Sequence, residues 1–176
     1  MQFTDTLDFS LIHAPDRVVV HRHYGVMTGH DLLRAAHRIA ALLPDAPVVP
    51  LCLDVGHFTV LLLATLLRGH YLLLSSERTA TRLGALAAQY GAVCVGFEND
   101  LPDGEQPPHM LVLPPPNGSG VERPENRIID FERLVAIVFT SGSTGQPVAH
   151  AKKWGALVAR SVVARTLLDP EDQAPT

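Results

Sequence analysis

The residues best suited to chemistry form one run, Leu134-Val135-Ala136-Ile137-Val138-Phe139-Thr140-Ser141-Gly142-Ser143-Thr144-Gly145-Gln146-Pro147. Its apolar first part reads as a buried strand that delivers the chain into a tight loop of two glycines and four hydroxyl residues. Gly142 and Gly145 can adopt positive φ and let backbone N–H groups come close to an anion, while Thr140, Ser141, Ser143 and Thr144 add donors without bulk. That combination is a cradle for phosphate. A helix predicted over Lys153–Leu168 would add a partly positive amino terminus nearby, and Lys152 or Lys153 a full charge. Spacing excludes three rival motifs. No Gly-Lys pair occurs, so the G-x-x-x-x-G-K-[ST] loop fails. Ser141 stands where the first glycine of G-x-S-x-G belongs. Gly118-Ser119-Gly120 runs into Arg123 where a third glycine of the dinucleotide fingerprint would fall.

The elements that must position this loop alternate along the chain. A hairpin is predicted from Arg17–His23 and Val26–Thr28, turning at Tyr24-Gly25. Thr28 with Asp31 makes a capping-box start for a helix carrying Leu32, Ala35, Ala36, Ile39, Leu42 and Leu43 on one face, ended by Pro44, with Arg34, His37 and Arg38 on the solvated side. Strand Val48–Leu53, helix Phe58–Arg68 closed by Gly69, strand Tyr71–Leu74, helix Thr79–Tyr90 capped by Ser76 and stopped by Gly91, and strand Val93–Phe97 follow. This rhythm predicts right-handed βαβ units: an α/β fold with a mostly parallel sheet flanked by helices. Residues 1–97 form the βαβ portion, 98–127 a Pro/Gly-rich connection with a short strand at Met110–Leu113, and 128–176 the strand, phosphate loop and following helix.

Length and composition fit one soluble domain. At 176 residues and 19.0 kDa the chain can bury about 70% of its unfolded surface. Apolar residues make up 47% and charged residues 18%, below the usual ~25%, which excludes disordered, coiled-coil and fibrous classes. A net charge of −4 without a basic stripe argues against nucleic acid. The longest apolar run, Phe58–Leu67, is well short of the ~20 residues that span a bilayer. Cys52 and Cys94 read as reduced core thiols.

Phe139-Thr140-Ser141-Gly142-Ser143-Thr144-Gly145-Gln146-Pro147 resembles the signature phosphate loop of the adenylate-forming (AMP-binding) superfamily, which includes acyl-CoA synthetases, nonribosomal peptide adenylation domains and luciferases. Thr28–Leu43 and Asp54–Leu74 resemble the early helix and the strand-helix-strand of their amino-terminal region, so the likeness covers nearly the whole chain, although only the loop is diagnostic. The resemblance implies the amino-terminal subdomain of an ATP-dependent ligase that converts a carboxylic acid, fatty or aryl, to an acyl-adenylate and then to a thioester with CoA or an acyl carrier protein. It further implies ATP contacts from Thr140, Ser141, Gly142, Ser143, Thr144 and Gly145, Mg²⁺ held by residues outside this chain, and a cytoplasmic location. No catalytic residue is expected within the chain.

Two departures stand out. The family's Pro-Lys-Gly is replaced by Pro147-Val148-Ala149, and lysines come later, in His150-Ala151-Lys152-Lys153-Trp154. This is similar to a subgroup serving carrier-protein pathways such as aryl polyene or pigment synthesis, and implies Lys152 as a substitute for the missing charge. The family's adenine and acyl pockets, its Mg²⁺-binding acid and its lid lysine all follow the loop, beyond Thr176. The chain is therefore expected to be a fragment of a longer enzyme, inactive alone and self-associating through apolar surface. The alternative is a stand-alone, non-catalytic nucleotide-binding or interaction module.

Plainer readings stand beside these. Lys152 and Lys153 equally suit a solvated first helical turn, Trp154 suits core packing better than ligand stacking, and His150 suits either a helix-start surface or an anion contact. His21 and His23 share a strand face but have no ligand-spaced partner, so a metal is not expected. The 98–127 stretch reads as a flexible connection.

Overall fold

The computed structural model describes residues 9–22, 25–116, 124–141 and 147–168. Strands β1 (Val18–Arg22) and β2 (Gly25–Thr28) pair antiparallel as predicted. His23 and Tyr24 lie outside the described residues. Helix α1 (Gly29–Ala40) begins at a complete capping box: Thr28 Oγ1 accepts from the Asp31 amide at 3.2 Å and Asp31 Oδ2 accepts from the Thr28 amide at 2.9 Å. The Thr28 hydroxyl and amide, with Arg34 at 2.6 Å, hold the Asp31 carboxyl below the usual carboxylate range. Ahead of this box the Gly29 and His30 amides donate to the Arg17 and Pro15 carbonyls. That approach is so close that a Cβ on Gly29 would lie 2.7 Å from Pro15 Cα.

The helix stops at Ala40, short of Pro44. Leu42 N donates to Ile39 O and Leu43 N to Ile39 O and Ala40 O, so the last turn tightens. Tightening turns Leu42 outward, 47% exposed, and leaves Leu43 buried, which corrects the placing of both on the apolar face. The polar side of α1 is also less solvated than predicted, because His37 Nε2 donates to Glu125 O at 2.7 Å.

Six strands make the main sheet: β3 (Val48–Pro50), β4 (Leu72–Ser75), β5 (Val93–Phe97), β6 (Leu111–Leu113), β7 (Leu134–Ser141) and β8 (Pro147–Lys153), in the order β6-β5-β3-β4-β7-β8. The first five in that order are parallel and β8 is antiparallel to β7. Helices α2 (Val55–Leu67), α3 (Ala80–Tyr90) and α4 (Trp154–Leu168) complete the fold. Alternation splits the core in two. Val48, Leu72, Val95 and Ala136 pack with α1 and α2 on one face, while Val49, Leu73, Cys94 and Phe139 pack with Leu83, Leu86 and Ala87 of α3 on the other. Both faces are covered, which is why the strands read as continuous apolar runs.

Two helix starts differ from expectation. Asp54 caps α2 by accepting the His57 amide at 2.9 Å, so α2 begins at Val55 and not Phe58. Thr79, not Ser76, caps α3, because residues 76–79 run on past β4 and Arg78 Nη2 donates to Pro50 O. Gly91, at φ 59°, ends α3 in the left-handed conformation that glycine adopts freely. The 98–127 stretch holds β6. Its final residues pair with the chain's start: Ile12 and the Asn126 side chain exchange two hydrogen bonds, and Leu11 N donates to Arg127 O. No described helix is long and apolar enough to cross a membrane.

Gly29→Ala is expected to lower stability by about 1–3 kcal/mol, since the backbone of Pro15 cannot yield as a side-chain end would. Thr28→Ala should cost about 1 kcal/mol. Because the Asp31 pKa is depressed, its contribution is full above the ordinary carboxylate pKa and is lost as pH falls through the lowered value. Asp31→Asn should therefore flatten the acid limb of a urea-midpoint profile; an unchanged limb would refute the linkage.

Candidate functional site

Parallel strands share a carboxyl edge, and here it carries the ends of β3, β4, β5, β6 and β7. From β3 the chain passes to α2 on one face, and from its neighbour β4 to α3 on the other. Diverging connections of this kind open a crevice at the sheet edge, where ligands of open α/β sheets bind. Arg78 spans the crevice from the β4 side, donating to Pro50 O at 3.3 Å. On its other flank β4 pairs with β7 through Leu72↔Ala136, Leu73↔Ile137, Leu74↔Val138 and Ser75↔Phe139, so Thr140 and Ser141 extend just past the end of β4.

The predicted phosphate loop therefore begins at this edge. Thr140 is exposed in β7, and Ser141, the last residue of β7, faces Pro147, the first of β8. Gly142, Ser143, Thr144 and Gly145 lie outside the described residues. Strands β7 and β8 pair antiparallel on either side of residues 142–146, so a strand of seven residues, which the sequence reading did not include, runs from Pro147 to α4. At about 3.4 Å per residue the helix start lies about 20 Å from Pro147. The strand forms because the outer edge of β7 would otherwise leave a row of backbone groups unpaired.

The lysines move with this correction. Lys152 sits opposite Ala136, near the far end of the hairpin, five residues from Pro147 or about 17 Å along the strand. That distance exceeds the reach of a lysine side chain, so the Lys152 ammonium does not reach Pro147. Lys153 is paired with Glu132, ahead of β7. His150, opposite Val138, is exposed partway along β8. Trp154 is 9% exposed and donates to Phe9 O at 3.0 Å, in keeping with a core role. His21 is exposed, and among the described residues no group of three or more His, Cys, Asp or Glu could hold a metal ion.

A buried polar pair escaped the sequence reading. Asp100, in the turn after β5, accepts from the Leu53 and Asp54 amides at 3.0–3.1 Å and from His57 Nδ1 at 2.9 Å. Side-chain exposures are 8% for Asp100 and 1% for His57, whose ring lies against Phe97. His57 Nε2 has no partner among the described residues. The Asp54-x-x-His57 cap was visible locally, whereas the Asp100 contact joins segments more than forty residues apart. This carboxylate pins the β3–α2 turn, one wall of the crevice, to the β5 end. Nearby, burial first and the Asp100 charge second push the Cys52 thiol up to about 12; burial pushes Cys94 up to about 11. Both are unpaired.

No protein-family model matches the chain, and no curated protein matches it. Solved structures do. The o-succinylbenzoate coenzyme A synthetase of Bacillus subtilis in complex with AMP aligns at TM-score 0.66 and 14% identity, over 89% of this chain and 35% of that one. A malonyl-CoA ligase with methylmalonyl-CoA and AMP bound aligns at 0.64 and 21%, over 86% and 32%. An NRPS protein containing adenylation and PCP domains aligns at 0.56 and 22%, over 81% and 26%. The chain thus spans about a quarter to a third of the length of these three proteins.

Asp100→Ala would strand two backbone amides and a buried imidazole, at a cost of about 3–5 kcal/mol by analogy with breaking a buried pair; thermal unfolding measures it. Neither thiol should react with iodoacetamide in the folded chain at pH 8, and both should react once urea unfolds it. By its architecture the chain carries, over part of its length, the fold of the amino-terminal subdomain of adenylate-forming enzymes.

Proposed function

We propose that this chain is the amino-terminal part of an ATP-dependent acid–thiol ligase. The observation that supports the reading is that Thr140 and Ser141, the first residues of the motif, extend past the end of β4 at the carboxyl edge of the sheet. In this reading Thr140, Ser141, Gly142, Ser143, Thr144 and Gly145 hold the β- and γ-phosphates of ATP. A carboxylate, fatty or aryl, attacks the α-phosphorus to give an acyl-adenylate and pyrophosphate. The thiol of CoA or of a carrier-protein phosphopantetheine then takes the acyl group and releases AMP. Phosphoryl displacement of this kind needs positioning and electrostatic stabilisation more than covalent help. No general base is required, because a carboxylate is ionised at neutral pH. Mg²⁺, held by residues outside these 176, would neutralise part of the phosphate charge. We place the enzyme in the cytoplasm and, by the His-x-Lys-x-Trp order at His150–Trp154, among ligases of pigment or aryl polyene type.

One observation favours a second reading, a non-catalytic nucleotide-binding module. Val148 stands where the family's Pro-Lys-Gly has its lysine, Lys152 lies five residues along β8 from Pro147, and Lys153 is paired with Glu132.

ATP–pyrophosphate exchange with a panel of carboxylates separates the two. A longer protein containing this segment should exchange with at least one acid, and residues 1–176 alone should not. In the longer protein Ser143→Ala and Thr144→Ala should each slow exchange roughly tenfold or more, whereas Lys152→Ala should leave it within about twofold. Nucleotide binding without exchange for any acid would establish the module instead. Val148, Ile128, Phe131 and Val163 are 47–80% exposed, and sedimentation of the isolated chain should reveal self-association through such surface.

A further inference from the structure

At the opposite, amino-terminal edge of the sheet, where α1 and α2 end, lies a cavity of about 190 Å³ lined by His37, Ala40, Ala41, Leu67, Arg68 and Arg127. Three of these six residues are basic, three apolar and none acidic. The ordinary explanation for cations at helix carboxyl ends is that they cap the last carbonyls. Here most of those carbonyls are already served by backbone amides: Ala41 N donates to His37 O, Leu43 N to Ile39 O and Ala40 O, Arg68 N to Ala64 O, Gly69 N to Leu66 O and His70 N to Thr65 O. Gly69 O accepts from Arg133, which lies outside the cavity.

The cavity arginines are correspondingly underused. Among the described residues Arg68 forms an ion pair with Asp45 alone, at 3.8 Å, and Asp45 is held more closely by His70 at 2.7 Å. Arg127 uses Nε on Glu125, at 3.0 Å. Asp45 and Glu125 are themselves 83% and 66% exposed, on the rim. His37 is steadied by its bond to Glu125 O. Beside it on α1, Arg38 Nη2 is buried with no hydrogen-bond partner among the described residues. A guanidinium carries five N–H donors, so two of them facing a pocket without an acidic wall offer more donors than a carboxylate can accept.

We propose that this pocket binds a phosphoryl group, with Arg68 and Arg127 as its charge-assisted donors and His37 as its third wall. The site is separate from the hairpin loop and stands whether or not that loop binds ATP. A tetrahedral oxyanion matches the donor count, and the apolar floor of Ala40, Ala41 and Leu67 leaves room for the carbon end of a phosphate monoester.

The test is an NMR titration of ¹⁵N-labelled chain with inorganic phosphate, with methyl phosphate, and with acetate and chloride at matched ionic strength. Phosphate should produce saturable shifts at His37, Ala40, Ala41 and Arg68, methyl phosphate should do the same, and acetate should bind weakly or not at all. Arg68→Ala and Arg127→Ala, both at exposed side chains, should each weaken binding roughly tenfold. Shifts at residues 140 and 148–149 report the hairpin loop separately and should survive both substitutions. Equal shifts from chloride, or no saturable shift at the cavity, would overturn the proposal, as would phosphate shifts unaffected by loss of both arginines. Saturation by phosphate but not methyl phosphate would identify the free ion as the ligand of the same site.

Discussion

Everything at the carboxyl edge depends on one pairing, the parallel ladder between β4 and β7. Four consecutive partners, from Leu72↔Ala136 to Ser75↔Phe139, join segments about sixty residues apart and place the end of β7 beside the crevice where connections diverge. Neither strand offers a polar reason to pair. Leu73 and Phe139 are buried under α3, Leu72 and Ala136 under the other layer, so the register is set by burial on two faces at once. A slip by one residue would exchange the faces of the whole strand. Thr140 and Ser141 are thus held at the sheet edge by apolar packing of the residues just before them.

The second constraint is electrostatic and buried. Asp100 stands in the turn after β5 but gathers the backbone amides of the β3–α2 turn, and Asp54, the residue it holds, caps α2 in turn. Two carboxylates in series thus fix the wall of the crevice opposite the hairpin. The high thiol pKa of Cys52 follows from the same burial and charge, which makes that cysteine part of the wall and not a nucleophile.

Local chemistry was legible where it acted alone. The Thr28/Asp31 box, the left-handed stop at Gly91 and the strands Val93–Phe97 and Leu134–Phe139 all follow from a few adjacent residues. Legibility failed where neighbours compete or where a distant partner decides. Ser76 and Thr79 are both competent caps, and the choice fell to where the chain leaves the sheet edge. Pro147–Lys153 has no strong period of its own; it becomes a strand because β7 presents an open edge, and this moved Lys152 from the first turn of a helix to the end of a ladder. Of the candidate site, the strand leading into Thr140 was legible in the sequence, the strand Pro147–Lys153 was not, and Asp100 and His57 could be joined only in three dimensions. The basic cavity was invisible for a related reason: His37, Arg68 and Arg127 are scattered along the chain and meet only because two helices end side by side.

The strand order β6-β5-β3-β4-β7-β8 carries a consequence for how the molecule is made. The β3–α2–β4–α3–β5 segment is a contiguous run in which each strand finds its partner within about fifty residues, and it can collapse while the rest of the chain is still being synthesised. Strand β7 then has to return from the far edge, past β5 and β3, and dock on the flank of β4. Until it arrives, β4 is itself an unpaired edge of leucines. Closing that flank is a long-range event of the kind that slows folding, so the same ladder that positions the loop is also the step during which the nascent chain is most exposed to aggregation.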